Sequence, residues 1–202
     1  MKTCRVCFFV FVSLLISKAM EASSPQQEPE SKDKPVSSRV ETMENGDIFL
    51  TQEALINAPL NKVWEAYTTS AGWSSWVAPV ATVDFKIGGE IRTNYNKDGT
   101  TDDEDINVLH IVNYVPERLI TLQAQVRKNW PDVLKEQEKR LFNIVTFERL
   151  GDNKTKVTSI GIGYKDTPEL QNLLKFFVPA NEETLQHLID YVENGKSAFE
   201  AK

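Results

Sequence analysis

The sequence predicts an α+β domain in which a curved, antiparallel, seven-stranded sheet wraps around a long C-terminal helix, with two short helices inserted after the first strand. Three observations carry this. Seven runs alternate apolar and polar residues with the two-residue period of half-buried strands. Two tryptophan-bearing segments between the first and second runs change to helical spacing. The last forty residues carry an apolar stripe with a period near 3.6.

From Asp47, Ile48, Leu50, Ala54 and Ile56 share one face of the first strand, until Asn57-Ala58-Pro59 stops it. Pro59 to Tyr67 places Val63, Trp64 and Tyr67 at helical spacing, and Thr69 to Trp76 reads as a second short helix or turn. The remaining strands are expected at Thr82–Ile87, Glu90–Asn96, Ile106–Val115, Leu119–Arg127, Leu141–Leu150 and Thr155–Tyr164, a succession of neighbours that suggests a meander. Thr167-Pro168-Glu169 then supplies an N-cap followed by proline at the first helical position. Leu170, Leu173, Leu174 and Phe177 form one stripe, and Pro179 is expected to interrupt it. Asn181 can cap a second stretch carrying Leu185, Leu188, Ile189 and Val192, which Gly195 ends.

The segments around this domain are of different character. Lys2 and Arg5 precede a twelve-residue apolar run, Val6 to Ser17, too short for the roughly twenty helical residues that cross a bilayer. Ser17-Lys18-Ala19 places small residues at the minus-three and minus-one positions of a cleavage site, so residues 1–19 read as a signal peptide and the protein as secreted or periplasmic. Both cysteines, Cys4 and Cys7, lie in that segment, and a mature chain would hold its core without disulfides. Loss of Lys2, Arg5 and Lys18 would also move the net charge from −6 to −9, which argues against nucleic acid and anionic membranes as partners. Residues 20–46 are rich in Pro, Ser, Gln, Glu and Lys and read as a disordered linker. The domain is expected over 47–195, followed by a tail, 196–202.

"INAPLNKVWEAYTTSAGWSSWVAP", Ile56 to Pro79, resembles the opening of the SRPBCC (START, Bet v 1-like) superfamily, in the branch of the heat-shock-protein-90 ATPase activator homologues. Asp84-Phe85-Lys86-Ile87-Gly88-Gly89 is similar to that branch's Asp-x-Arg-x-Gly-Gly hairpin, with Lys86 in place of arginine. Val115 to Ile120 is similar to its Pro-x-x-x-Leu strand start, and Gly151 to Val157 to its Gly-x-x-x-Thr-x-Val turn. The resemblance implies the helix-grip fold, and with it a cavity between sheet and helix that takes a small apolar or amphipathic molecule. It also implies two other functions: a polyketide cyclase or aromatase-like enzyme using the same cavity, and a chaperone ATPase cofactor. An exported chain lacks the cytosolic, ATP-driven partner that the last would need.

Gly88-Gly89 is followed by a strand rather than a helix, so the pair is expected to supply positive φ angles for a turn, not a phosphate cradle. "NYNKDGTTDDED", Asn94 to Asp105, comes near the spacing of a calcium loop, but opens with Asn, closes with the short Asp105, and joins strands; it reads as an acidic hairpin loop. His110 and His187 are too far apart for a helical metal pair, and no metal, cofactor or catalytic residue is assigned. Asp84 and Glu90 are read as charge partners of Lys86 and Arg92. The cavity is expected to be lined by Trp76, Phe85, Tyr95 and Trp130 from the hairpins and loops, and by Leu174 and Phe177 from the helix. His110, placed on one strand face with Val108, Val112 and Tyr114, is expected to be its polar group. No partner protein is assigned.

Export predicts that the mature chain begins at Met20. Intact mass and N-terminal sequencing check this, and soluble full-length protein retaining Met1 contradicts it.

Overall fold

The computed structural model describes residues 34–104, 106–128 and 130–199; the predicted signal peptide and the first part of the predicted linker lie outside them. The described chain runs β1 Val36–Thr42, β2 Asp47–Ile56, α1 Leu60–Thr68, α2 Ser70–Trp76, β3 Val80–Val83, β4 Glu90–Asn94, β5 Asn107–Val115 and β6 Leu119–Ala124. It continues through α3 Asp132–Lys135, a 3-10 turn Glu138–Arg140, β7 Phe142–Gly151, β8 Lys154–Lys165 and α4 Pro168–Asn194. All eight strands form one antiparallel sheet in the order β1-β2-β8-β7-β6-β5-β4-β3. This is the helix-grip arrangement, with one strand more than the sequence predicts.

The added strand is β1, which lies inside the segment read as linker. Val36 pairs with Ala54 and Thr42 with Ile48 along its whole length. Its polar composition concealed it because an edge strand is held largely by backbone hydrogen bonds and needs little apolar area; Val36 alone is buried. The expected Thr82–Ile87 strand is displaced to Val80–Val83, since residues 84–89 form a loop closed by the Asp84 amide on the Glu90 carbonyl, 2.9 Å. β6 ends at Ala124, where the chain leaves the sheet and the Val126 amide donates to Glu138 Oε1, 2.9 Å.

Residues paired across adjacent strands share a face, so the register identifies the inner one. Ala54, Val157 and Phe147 lie in one row, Gln52, Ser159, Val145 and Ile120 in the next, and Asn143, Leu122 and Ile111 in another. The apolar members belong to the main core with Val63, Ala66, Tyr67, Trp73 and Trp76 of α1 and α2, and Leu185, Leu188 and Ile189 of α4. Each of the Val, Leu, Ile and Phe side chains among them contributes roughly 1.5–3 kcal/mol on burial. Gly72 lets α2 cross α1 closely, because a Cβ there would sit 2.7 Å from Ala66 Cα.

α4 starts where Thr167 Oγ1 accepts from the Leu170 amide, 3.2 Å, and stops at Gly195, whose φ of 68° is the left-handed conformation of a C-terminal glycine. It does not break at Pro179. Helix continues on both sides, and Asn181 is not a cap: its Nδ2 donates to Gln52 Oε1 of β2, 2.9 Å. Packing of the stripe against the sheet outweighs the backbone hydrogen bond that proline removes. The Asn57 amide on Glu193 Oε1, 2.6 Å, fastens the far end.

In the β3–β4 loop only Gly88 has a positive φ, 77°. Gly89 is required for another reason, since a Cβ there would run into the Asp84 carbonyl. Its amide is spent on the Lys86 carbonyl and that of Gly88 on the Ile111 carbonyl, so the loop offers no cradle of free donors.

Removing residues 21–34 is expected to leave the melting temperature nearly unchanged, whereas removing 21–44 takes β1 away, exposes the edge of β2 and lowers it by several degrees. Equal melting temperatures for the two deletions would show that β1 adds nothing.

Candidate binding cavity

α1 and α2 end against one another, and this fixes the first wall. Trp73 Nε1 donates to the Tyr67 carbonyl at 2.7 Å and Trp76 Nε1 to the Ala66 carbonyl at 3.0 Å, satisfying carbonyls at the end of α1 that lack helical partners. The two indoles lie 5.5 Å apart, and Tyr67 packs 4.9 Å from Trp76 and 5.1 Å from Phe147. With their donors committed, the indoles present carbon faces.

Between this wall, the inner face of the sheet and the second half of α4 lies a cavity of about 150 Å³. Tyr67, Trp73, Trp76, Val77, Leu109, Leu122, Val145 and Leu185 make its apolar lining, and Gln52, Asn143, Ser159, Asn181 and Thr184 its polar lining. Gln52 Nε2 donates to Ser38 Oγ of β1 at 2.8 Å and to the Val178 carbonyl at 3.3 Å. Ser159 Oγ donates to Asn143 Oδ1, 2.9 Å. Among the described residues, none of the lining side chains is charged. Burial pushes the Tyr67 phenol well above the usual tyrosine range, so it stays protonated at neutral pH.

The structure gathers only part of the expected lining here. Trp76 lines the cavity. Phe85 is half-buried elsewhere in the main core, edge-on to Trp64 at 5.7 Å and 4.6 Å from Tyr114. Tyr95 is exposed. Trp130 and Phe177 pack around Leu134, Leu141 and Leu170, and Leu174 packs with Ile48 and Leu50. These clusters pack against the first half of α4. His110 is on the outer face: it pairs with Glu90 and Gln123, and its Nδ1 lies 3.5 Å from Glu90 Oε1. A bulge between Ile111 and Asn113 returns Tyr114 to the inner face, so the strict alternation that joined His110 to Tyr114 fails at that point.

Gln52, Tyr67, Trp73, Leu109, Leu122, Asn143, Ser159, Asn181 and Thr184 were not foreseen in this role. The signal available for Gln52 was its own strand: Ile48, Leu50, Ala54 and Ile56 share its face, and a polar side chain at the centre of that row has to meet a partner inside.

A larger concavity, about 450 Å³, lies along the β3–β4 loop on the outer surface. It is an open, charged trough whose groups satisfy each other: Lys86 with Asp84 at 2.9 Å and Arg92 with Glu90 at 3.1 Å. The acidic loop after β4 is likewise closed on itself. Asp103 accepts from Thr100 Oγ1 at 2.8 Å, the Thr100 amide at 3.1 Å and Asn94 Nδ2 at 2.8 Å, and the Thr100 bonds above all hold its carboxyl below the usual range. Asp105 lies outside the described residues, among which no cluster of three His, Cys, Asp or Glu is placed to hold a metal.

Trp76→Ala is expected to destabilise the fold by about 3–5 kcal/mol, as for other large core aromatics, because Trp76 is 4% exposed and caps α1 as well as lining the cavity. Denaturant unfolding measures this; a loss under about 1 kcal/mol would show that Trp76 is not part of the core.

Comparison with known proteins agrees with this architecture. The solution structure of the Aha1 dimer from Colwellia psychrerythraea matches with a TM-score of 0.57 at 18% identity, covering 74% of this chain and 98% of that one. CalU16 from Micromonospora echinospora matches with a TM-score of 0.56 at 17% identity, covering 82% and 88%. DynU16, from the dynemicin biosynthetic locus, matches with a TM-score of 0.55 at 16% identity, covering 74% of this chain and 48% of that one. At these identities the likeness is one of fold. A search of curated proteins finds no match. The sequence profile of the family "Activator of Hsp90 ATPase homolog 1-like protein" matches residues 57–193, from the end of β2 almost to the end of α4. The chain belongs to that family, within the SRPBCC superfamily.

Proposed function

We propose that this protein is an exported binder that holds a small amphipathic molecule in the cavity between the sheet and the second half of α4, without a covalent step. The observation that carries this is the cavity's two-sided lining: aromatic carbon on one wall and side-chain amides and hydroxyls on the other. Such a site buries a ring and orients its polar edge. At about 150 Å³ it suits a molecule of one ring rather than a long acyl chain.

Among the described residues the lining offers no carboxylate, imidazole or thiol, which supports binding over bond-making. The basic start, the short apolar run and Ser17-Lys18-Ala19 support export. A second reading, a cyclase-like enzyme in the same cavity, is favoured by one group, the buried Tyr67 phenol, which stays protonated and could donate a hydrogen bond to a bound carbonyl. DynU16 adds a biosynthetic setting for the fold.

Single-ring probes such as toluene or benzene are expected to change the fluorescence of Trp73 and Trp76 in a saturable way. Thr184→Phe, which places a ring in the cavity from a half-buried position on α4, should abolish that response while the melting temperature holds. A response untouched by Thr184→Phe would put the probe elsewhere.

A further inference from the structure

On the reading just given, we infer that the ligand class is a neutral, single-ring molecule carrying a hydrogen-bond acceptor, with its ring against the indole wall and its acceptor toward Asn143 and Tyr67.

The hydrogen-bond donors of the lining can be sorted into those already used and those left over. Both ends of the Gln52 amide are taken, Nε2 by Ser38 Oγ and the Val178 carbonyl, Oε1 by Asn181. Thr184 Oγ1 donates to the Ala180 carbonyl, 2.9 Å. Both indole N–H groups are spent on α1. Asn143 differs: its Oδ1 is held by Ser159 Oγ at 2.9 Å, which fixes the amide with its NH₂ group unspent, and Nδ2 donates to no described residue. The Tyr67 hydroxyl also makes no hydrogen bond to a described residue, although the side chain is 3% exposed and lines the cavity. A buried tyrosine hydroxyl ordinarily finds a partner. The donors left without partners among the described residues are therefore an amide NH₂ and a phenol, and what they jointly ask for is an acceptor such as a carbonyl or ether oxygen.

Charge is excluded by the same lining. Among the described residues no cationic or anionic side chain lines the space, and a carboxylate or ammonium buried there would lose its hydration with only neutral dipoles in return. Size sets the third condition: about 150 Å³ takes one ring with a short substituent.

Benzamide, benzoate and toluene separate these conditions, being of similar size and differing in acceptor and charge. Binding to the full domain is followed by ligand-observed NMR at neutral pH. Benzamide is expected to bind about tenfold or more tighter than toluene, a difference of ~1.4 kcal/mol, and benzoate to stay unbound at concentrations where benzamide saturates. Tyr67→Phe keeps the ring and removes only the hydroxyl; it and Asn143→Leu should each weaken benzamide about five- to tenfold and leave toluene unchanged. Equal binding of benzamide and toluene overturns the acceptor requirement and leaves the cavity reading standing. Benzoate binding as tightly as benzamide overturns neutrality. If none of the three binds, the cavity reading fails and the ligand class with it.

Discussion

Gln52 is 2% exposed in the middle of the inner face of β2, and its amide has to find every partner inside the protein. A buried amide left unsatisfied costs on the order of 1–3 kcal/mol. Its partners come from three places: Ser38 on β1, the Val178 carbonyl on α4, and Asn181 one turn later. One side chain thus ties the edge strand, the second strand and the C-terminal helix at a single point. That point lies beside Pro179, where the helix lacks a backbone donor and the Gln52 amide reaches the preceding carbonyl. The rest of the inner face is arranged around it.

The two halves of α4 consequently meet the sheet differently. Before Pro179 the helix presents Leu170, Leu173, Leu174 and Phe177, which fill the space over Ile48, Leu50, Leu134 and Leu141. After it, Asn181 and Thr184 come first, short and polar, and full apolar packing resumes only at Leu185, Leu188 and Ile189. A curved sheet cannot follow a rod-like helix along its whole length. Where the helix supplies small polar side chains, the gap stays open, and the indoles of Trp73 and Trp76 close its far side. The site is therefore a consequence of where α4 changes character, and its lining is neutral because both walls serve packing and hydrogen bonding before they serve a ligand.

Much of the architecture was legible in sequence because it rests on periodicity. The alternation from Asp47 to Ile56, the helical spacing of Val63, Trp64 and Tyr67, the Thr167-Pro168 cap and the Gly195 stop all describe local physics, and the structure agrees with each. β1 was missed since an edge strand of Ser, Arg, Glu and Thr is held by its backbone and carries little hydrophobic signal. The site was harder to read. Which face of β5 points inward depends on a bulge after Ile111 that no residue in the run announces, and this placed His110 on the wrong side. Trp130, Leu174 and Phe177 pack in the clusters against the first half of α4, away from the lining of the cavity described above. Finding Asn143 and Ser159 would have required the pairing of β7 with β8, which periodicity does not contain.

The central claim is that the space between the indole wall and the amide row is a binding cavity. A crystal structure of the protein with benzamide tests it most directly. The account predicts a single bound ring beside Trp76, with its carbonyl oxygen within hydrogen-bonding distance of Asn143 Nδ2. Benzamide in the outer trough along Asp84 to Arg92, with the inner cavity holding only water, would contradict it.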